Sequence, residues 1–255
     1  MKAVLKIALG FLMIFLSSAS LRAQTNIVDA TVEDSIIYSR FRYFGATFHN
    51  LGLGAQARWG KRLNVYKNRF FEVEIQSLRS WKQLKMVNPY VINSKGYVYG
   101  KVNYAFASRF GIFLDKRLNR KPGFENGVEV RWIYGGGFSL GITKPYYLYV
   151  IYFEGMYSYS IETEKFDPNP SWDDIYGRAP FTKGMNELSF YPGLYLKMGL
   201  NFEYGQKKTK ISALEVGGAL DVYPTGLTIM YGQPKRVFFP TMYITLTWGK
   251  RFNKY

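Results

Sequence analysis

From Leu188 to Tyr204 the chain alternates strictly. The even positions read Leu188, Phe190, Pro192, Leu194, Leu196, Met198, Leu200, Phe202 and Tyr204. The odd positions read Ser189, Tyr191, Gly193, Tyr195, Lys197, Gly199, Asn201 and Glu203. Period two with one apolar face is a β-strand whose two faces meet different environments. The run is about seventeen residues, far beyond the usual strand of about 5–6 and more than the roughly 9–11 that a tilted strand needs to cross hydrocarbon.

The pattern recurs along the chain. Val128, Val130, Trp132, Tyr134, Phe138, Leu140 and Ile142 alternate with Glu129, Arg131, Ser139 and a set of glycines. Val102, Tyr104, Phe106, Phe110, Ile112 and Leu114 alternate with Lys101, Asn103, Arg109 and Asp115. Shorter runs set Phe71, Val73 and Ile75 against Glu72, Glu74 and Gln76, and Leu53, Ala55, Ala57 and Trp59 against Gly54, Gln56 and Arg58. Near the end Leu214, Val216, Leu220 and Val222 alternate with Glu215 and Asp221, and Met242, Ile244, Leu246 and Trp248 with Thr241, Thr245 and Thr247. A soluble sandwich would turn the apolar face to its core. The strand lengths favour a membrane barrel, as do the aromatics Trp132, Tyr146, Tyr147, Tyr149, Tyr152, Trp248, Phe252 and Tyr255 near strand ends. The expected class is all-β: a transmembrane antiparallel barrel with its apolar face in lipid.

The N-terminus supports export. Lys2 and Lys6 precede an apolar run from Ile7 to Leu16, followed by Ser17, Ser18, Ala19 and Ser20. This is the order of a secretory signal peptide, too short for a membrane-spanning helix. The expected division is a signal peptide at 1–23, a periplasmic segment at 24–39 and a barrel at 40–255. An exported barrel belongs in the bacterial outer membrane, because only helices and closed barrels cross bilayers.

The chain has no cysteine and one histidine, His49, which excludes disulfides, thiolate metal sites and multi-histidine centres. No metal and no cofactor is expected. Lys and Arg number 34 against 18 Asp and Glu. With Lys2, Lys6 and Arg22 removed, the mature chain carries 31 − 18 = +13. For an exported chain the anions at hand are outer-membrane lipid and lipopolysaccharide phosphates, not nucleic acid.

Counted back from a periplasmic C-terminus, the strands fall near 240–253, 211–224, 188–205, 146–161, 127–142, 97–115, 69–79 and 53–61. A run at 40–48 is a further candidate. An even number is the rule for such barrels; eight is expected, with 40–61 as a single long strand and ten strands in all as open alternatives. Gln206–Lys210 and Thr143–Pro145 then read as short periplasmic turns, and Glu162–Glu187 and Thr225–Phe239 as long surface loops. Ser80–Gly96 fits poorly, being too long for the periplasmic turn that this count makes it.

The interior is expected to hold Arg58, Glu72, Glu74, Lys101, Arg109 and Glu129. It also takes Arg131, Lys197, Glu203, Glu215 and Asp221, so that both signs occur in near balance. Buried charges persist only when paired, and eight strands leave an interior just wide enough for side chains to fill, so a salt-bridged plug is expected in preference to a pore. Gly137-Phe138-Ser139-Leu140-Gly141 matches the nucleophile-elbow pattern, but that motif needs a sharp strand-to-helix turn, and here it lies inside a strand. His49, beside Asn50 and Gly52, reads as a strand-end residue. No catalytic residue is assigned and the chain is read as non-enzymatic.

What remains is a scaffold presenting loops. The candidate partner surface is Trp172, Asp173, Asp174, Tyr176 and Phe181 on the proline-stiffened loop 162–187, with the segment 24–39 as a second candidate. Exposed aromatics of this kind are enriched at interfaces. The expected function is a scaffold or accessory subunit of an outer-membrane complex, of the secretion or barrel-assembly type, with other outer-membrane or periplasmic proteins as partners. A small pore and a lipid A-modifying enzyme are the alternatives.

The junction Arg22-Ala23-Gln24, the tyrosine-rich strands, and the stretch from Gly127 through Gly135-Gly136-Gly137 to Lys144-Pro145 resemble the small outer-membrane β-barrels of Bacteroidota. The resemblance covers the mature chain as architecture. It implies a barrel, pore, lipid A enzyme or machine subunit. The C-terminus resembles the barrel-assembly signal in Gly249, Phe252 and Tyr255, and departs from it at Lys254.

Overall fold

The computed structural model describes residues 38–91, 94–119, 127–153, 158–168, 174–205 and 209–253. The expected signal peptide, almost all of the segment 24–39, and Trp172 and Asp173 lie outside the described residues.

The alternating runs form the long strands. Those of the barrel are β1 (Arg40–His49), β2 (Gly52–Arg62), β3 (Lys67–Leu78), β6 (Asn103–Arg117), β7 (Glu129–Pro145), β11 (Ser189–Glu203), β12 (Lys210–Leu227) and β13 (Arg236–Phe252). They close in the order β1-β13-β12-β11-β7-β6-β3-β2, antiparallel throughout, with β1 pairing β13 on one side and β2 on the other. The alternation sets which way each side chain points, because successive residues of a strand face opposite sides. Leu194, Leu196 and Met198 are 67%, 66% and 62% exposed, whereas Tyr195 and Lys197 between them are 1% and 2% exposed. Phe71, Ile75, Ile112, Trp132, Phe138, Met242, Ile244 and Trp248 continue this outward apolar band on the other strands.

Inward glycines let large rings lie flat across the lumen. Gly217 faces Gly199 in register, and a Cβ on Gly217 would stand 2.2 Å from the Met198 carbonyl oxygen and 2.7 Å from the Tyr243 hydroxyl. Small and large residues thus alternate so that the taper is filled.

Arg40 pairs with both Phe252 and Lys61. The start and end of the barrel therefore lie at the same rim as the strand ends Arg62, Lys67, Arg117, Glu129, Glu203 and Lys210. The strand ends His49, Gly52, Leu78, Asn103, Pro145, Ser189, Leu227 and Arg236 lie at the opposite rim, where the two longest stretches of sequence between barrel strands depart. Short turns are periplasmic and long loops extracellular in such barrels, so the second rim is the outer one.

Three sequence expectations change. Residues 40–61 are not one long strand: the candidate at 40–48 is β1, joined to β2 at Asn50 and Leu51. Residues 146–161 are no barrel strand: β8 (Tyr147–Phe153) and β9 (Tyr159–Lys165) join β10 (Ile175–Arg178) in a separate three-stranded sheet of order β10-β8-β9. Thr143–Pro145 lies within β7 and is no turn. One strand lost and one gained keeps the count at eight. It also moves Ser80–Gly96, with the short pair β4 (Lys85–Met86) and β5 (Tyr97–Val98), to the outer rim, where its length is ordinary.

An outward band of large apolar side chains around a closed barrel is covered by hydrocarbon, since closure pairs neighbouring strands all round and leaves no open edge. The protein is an integral outer-membrane β-barrel.

Candidate functional site

The lumen is braced from wall to wall at mid-height. Arg58 on β2 donates through Nη1 to Glu215 Oε2 at 2.5 Å and through Nη2 to Glu215 Oε1 at 2.9 Å, while its Nε binds Glu72. Lys197 on β11 donates to Glu72 at 3.1 Å, Glu74 at 3.0 Å and Gln56 Oε1 at 2.9 Å. Arg109 on β6 binds Asp221 on β12 through both Nε and Nη2, and Glu74 through Nη1 at 3.3 Å. All seven ions are buried. Removing a charge from water costs several kcal/mol unless strong partners replace the solvent; here each ion has them.

A second charged layer lies at the periplasmic mouth. Arg131 binds Asp115 at 3.1 Å and Glu129 at 2.5 Å, Arg117 binds Glu129 at 3.0 Å, and Arg251 binds Glu203. Between the layers lie Phe41, Tyr43, Phe70, Phe113 and Tyr195, with Phe70 stacked on Phe113 at 5.4 Å. Beneath the outer rim Leu51, Leu78, Tyr223, Leu227, Met230 and Phe239 form an apolar stopper. Packed side chains thus occupy the lumen at four successive levels.

Ten of the eleven charges assigned to the interior by parity stand there. Lys101 does not. It precedes β6, so strand parity does not govern it, and its ammonium lies 4.0 Å from the centroid of Tyr104 and 5.4 Å from that of Tyr146 at the outer rim. Asp115, Arg117, Arg251 and the tyrosines 43, 195, 223 and 243 complete the interior; their positions in the alternating runs were the available signal.

Ser139 and His49, the two residues weighed for catalysis and set aside, lie apart in the barrel. Ser139 is buried within β7, its hydroxyl bonded to Asp221 at 3.0 Å and Tyr223 at 2.7 Å. His49 accepts the Leu51 amide at Nδ1, 3.3 Å, and its Nε2 meets no hydrogen-bond partner among the described residues. No group of His, Cys, Asp and Glu suited to a metal occurs among the described residues.

The candidate partner loop is part of the outer sheet. Leu148 and Val150 of β8 pack with Tyr97, Tyr146 and Ile175. The sheet is fastened to the barrel by Lys144, which donates to the carbonyls of Phe181 at 2.6 Å and Lys183 at 2.7 Å. Phe181 lies edge-on to the barrel's own Tyr104 at 5.3 Å and Phe106 at 6.2 Å, and 51% of it stays exposed. Asp174 and Tyr176 are half-buried. The other face of the sheet, which parity did not single out, is the open one. Phe153 pairs with Tyr159, and Ile151 with Ile161, and Phe153 and Tyr159 are 73% and 65% exposed. Lys165 and Tyr147 hold Glu187 beside this sheet and keep its carboxyl below the usual range.

No protein-family model and no curated protein matches the chain. Among solved structures, Ail, the attachment invasion locus protein of Yersinia pestis, is similar over 84% of this chain and 97% of its own, with a TM-score of 0.38 and 8% identity. Neisserial surface protein A is similar over 85% of this chain and 96% of its own, with a TM-score of 0.33 and 12% identity.

Proposed function

We propose that this protein is a non-enzymatic scaffold, an accessory subunit of an outer-membrane complex of the secretion or barrel-assembly type, whose outer three-stranded sheet docks a partner protein. The reading takes the chain as a Bacteroidota-type barrel exported by the signal at 1–23. The observation that carries it is the open face of Phe153, Tyr159 and Ile161 together with β9, which among the described residues pairs only with β8. An unpaired strand edge invites addition of a further strand, and a contiguous apolar face marks an interaction surface. Glu162 and Glu164 on β9 suit an incoming strand that carries Lys or Arg.

The test removes the sheet and spares the barrel. Replacing residues 146–187 by an Asn-Gly turn joins β7 directly to β11, whose register already brings Thr143 opposite Ser189. The variant is expected to remain heat-modifiable in membranes and to lose the protein that co-purifies with the wild type in mild detergent. A wild type that purifies alone from native membranes overturns the scaffold reading; new ion conductance in wild-type bilayers would support a pore, and altered lipid A an enzyme.

A further inference from the structure

On the outer wall, just beyond the apolar band, cations gather without an acid. Tyr104 of β6 faces Lys144 of β7 in register. Leu78 faces Ala105, so Arg79, the next residue of that chain, follows at the end of β3 on the outward side. Lys101, 6% exposed, folds back over the Tyr104 ring, and Arg178 of β10 lies near the Tyr104 phenol. Among the described residues none of Arg79, Lys101 and Arg178 has an ion-pair partner. Lys144 differs, since two backbone carbonyls hold it.

The hydrogen-bond inventory is one-sided as well. Lys101 Nζ has three protons to donate and a single long bond, 3.4 Å, to Gln83 Oε1. That leaves Gln83 Nε2, a buried donor, without an acceptor. Burial, with Arg79 and Arg178 nearby, lowers Lys101 to about 8. Donors crowd one spot, like charges repel there, and the acceptor is missing.

We propose that Arg79, Gln83, Lys101 and Arg178 form a binding site for a phosphate group. Guanidinium forks and a lysine point charge match phosphate oxygens. The site lies on the outward side at the outer-rim ends of β3 and β6, beyond the apolar band, so a headgroup phosphate and free phosphate are the two sources of this chemistry. The headgroup source rests on the membrane reading of the scaffold; the phosphate chemistry does not.

The test titrates the folded full-length barrel in non-ionic detergent with phosphorylated lipid A, with lipid A stripped of its phosphates, and with inorganic phosphate. The wild type is expected to bind phosphorylated lipid A more tightly than the stripped form. Lys101→Gln, and separately the Arg79→Gln/Arg178→Gln pair, are expected to weaken the phosphorylated ligand by about tenfold, about 1.4 kcal/mol, and to leave the stripped one unchanged. Saturable binding of inorganic phosphate that the same variants abolish supports the site with free phosphate as its source. Equal binding of the two lipids without inorganic phosphate binding, or binding indifferent to both variants, overturns it. Retained heat-modifiability shows that each variant is folded, and failure of the wild type to insert into vesicles would sink the membrane reading without touching the phosphate result.

Discussion

Arg58 and Glu215 meet across the lumen through two hydrogen bonds, 2.5 and 2.9 Å, although β2 and β12 are not neighbours in the wall. Removing one partner leaves the other buried and uncompensated, which typically costs about 3–5 kcal/mol. Glu215→Ala is therefore expected to lower the unfolding free energy of the barrel in detergent by that order, read from its denaturant midpoint and slope. Arg58→Met combined with Glu215→Leu removes both charges and leaves Glu72 with Lys197; its loss is expected to be smaller than the sum of the single losses. Simple additivity in a double-mutant cycle would show that the pair does not brace the barrel.

Neighbouring residues test the inside against the outside. Leu196 faces lipid and Tyr195 the lumen. Leu196→Arg near mid-strand should cost about 2–4 kcal/mol, measured by refolding into vesicles. The Tyr195 hydroxyl is buried without a hydrogen-bond partner among the described residues, so Tyr195→Phe removes a polar atom that satisfies nothing and should be neutral or stabilising by up to about 1–3 kcal/mol. A Tyr195→Phe barrel clearly weaker than wild type would contradict this packing.

Gly217 has no room for a side chain, and the atom it would strike first is the Met198 carbonyl of the facing strand, 2.2 Å away. Backbone moves less readily than a side-chain tip. Gly217→Ala is expected to destabilise by about 1–3 kcal/mol through overpacking and to shift the fluorescence of the overlying Tyr243. Gly232, with nothing near its would-be Cβ but a φ of 68°, is a control for conformational strain alone.

The barrel was legible wherever alternation was long, because an outward apolar face and an inward polar one can be sorted by parity alone. It failed at Tyr147–Phe153 for a physical reason. There the apolar face of β8, Leu148 and Val150, is buried against Tyr97 and Ile175, as in a soluble sheet, and period two does not distinguish protein from lipid as the cover. The β1–β2 boundary was legible as separate runs at 40–48 and 53–61, because the outward apolar face passes from even positions, Phe44 and Phe48, to odd ones, Leu53 and Trp59, across His49-Asn50-Leu51-Gly52. The charge network was read by sign and parity, but its pairing was not, since Arg58 and Glu215 lie 157 residues apart. Lys101 was misplaced because parity was carried past the start of β6.

The phosphate site carries a pH signature whose sign follows from Lys101. It faces Arg79 from the end of β3, Arg178 from β10, and the rings of Tyr104 and Tyr146, with no acid among them. The arginines stay charged throughout the accessible range, so the titrating group is Lys101, at about 8 when the site is free. A bound anion favours the ammonium and raises that value. Affinity is therefore full below about 8 and falls as the pH rises through it, until the raised value of the complex is passed. A phosphate monoester gains its second charge near pH 6, so affinity should climb through that point and form a plateau before the lysine step. Titrations of phosphorylated lipid A between pH 5 and 10 should show a decline on the alkaline side in the wild type and none in Lys101→Gln. An alkaline decline that persists in Lys101→Gln would assign the titration to another group and remove Lys101 from the site.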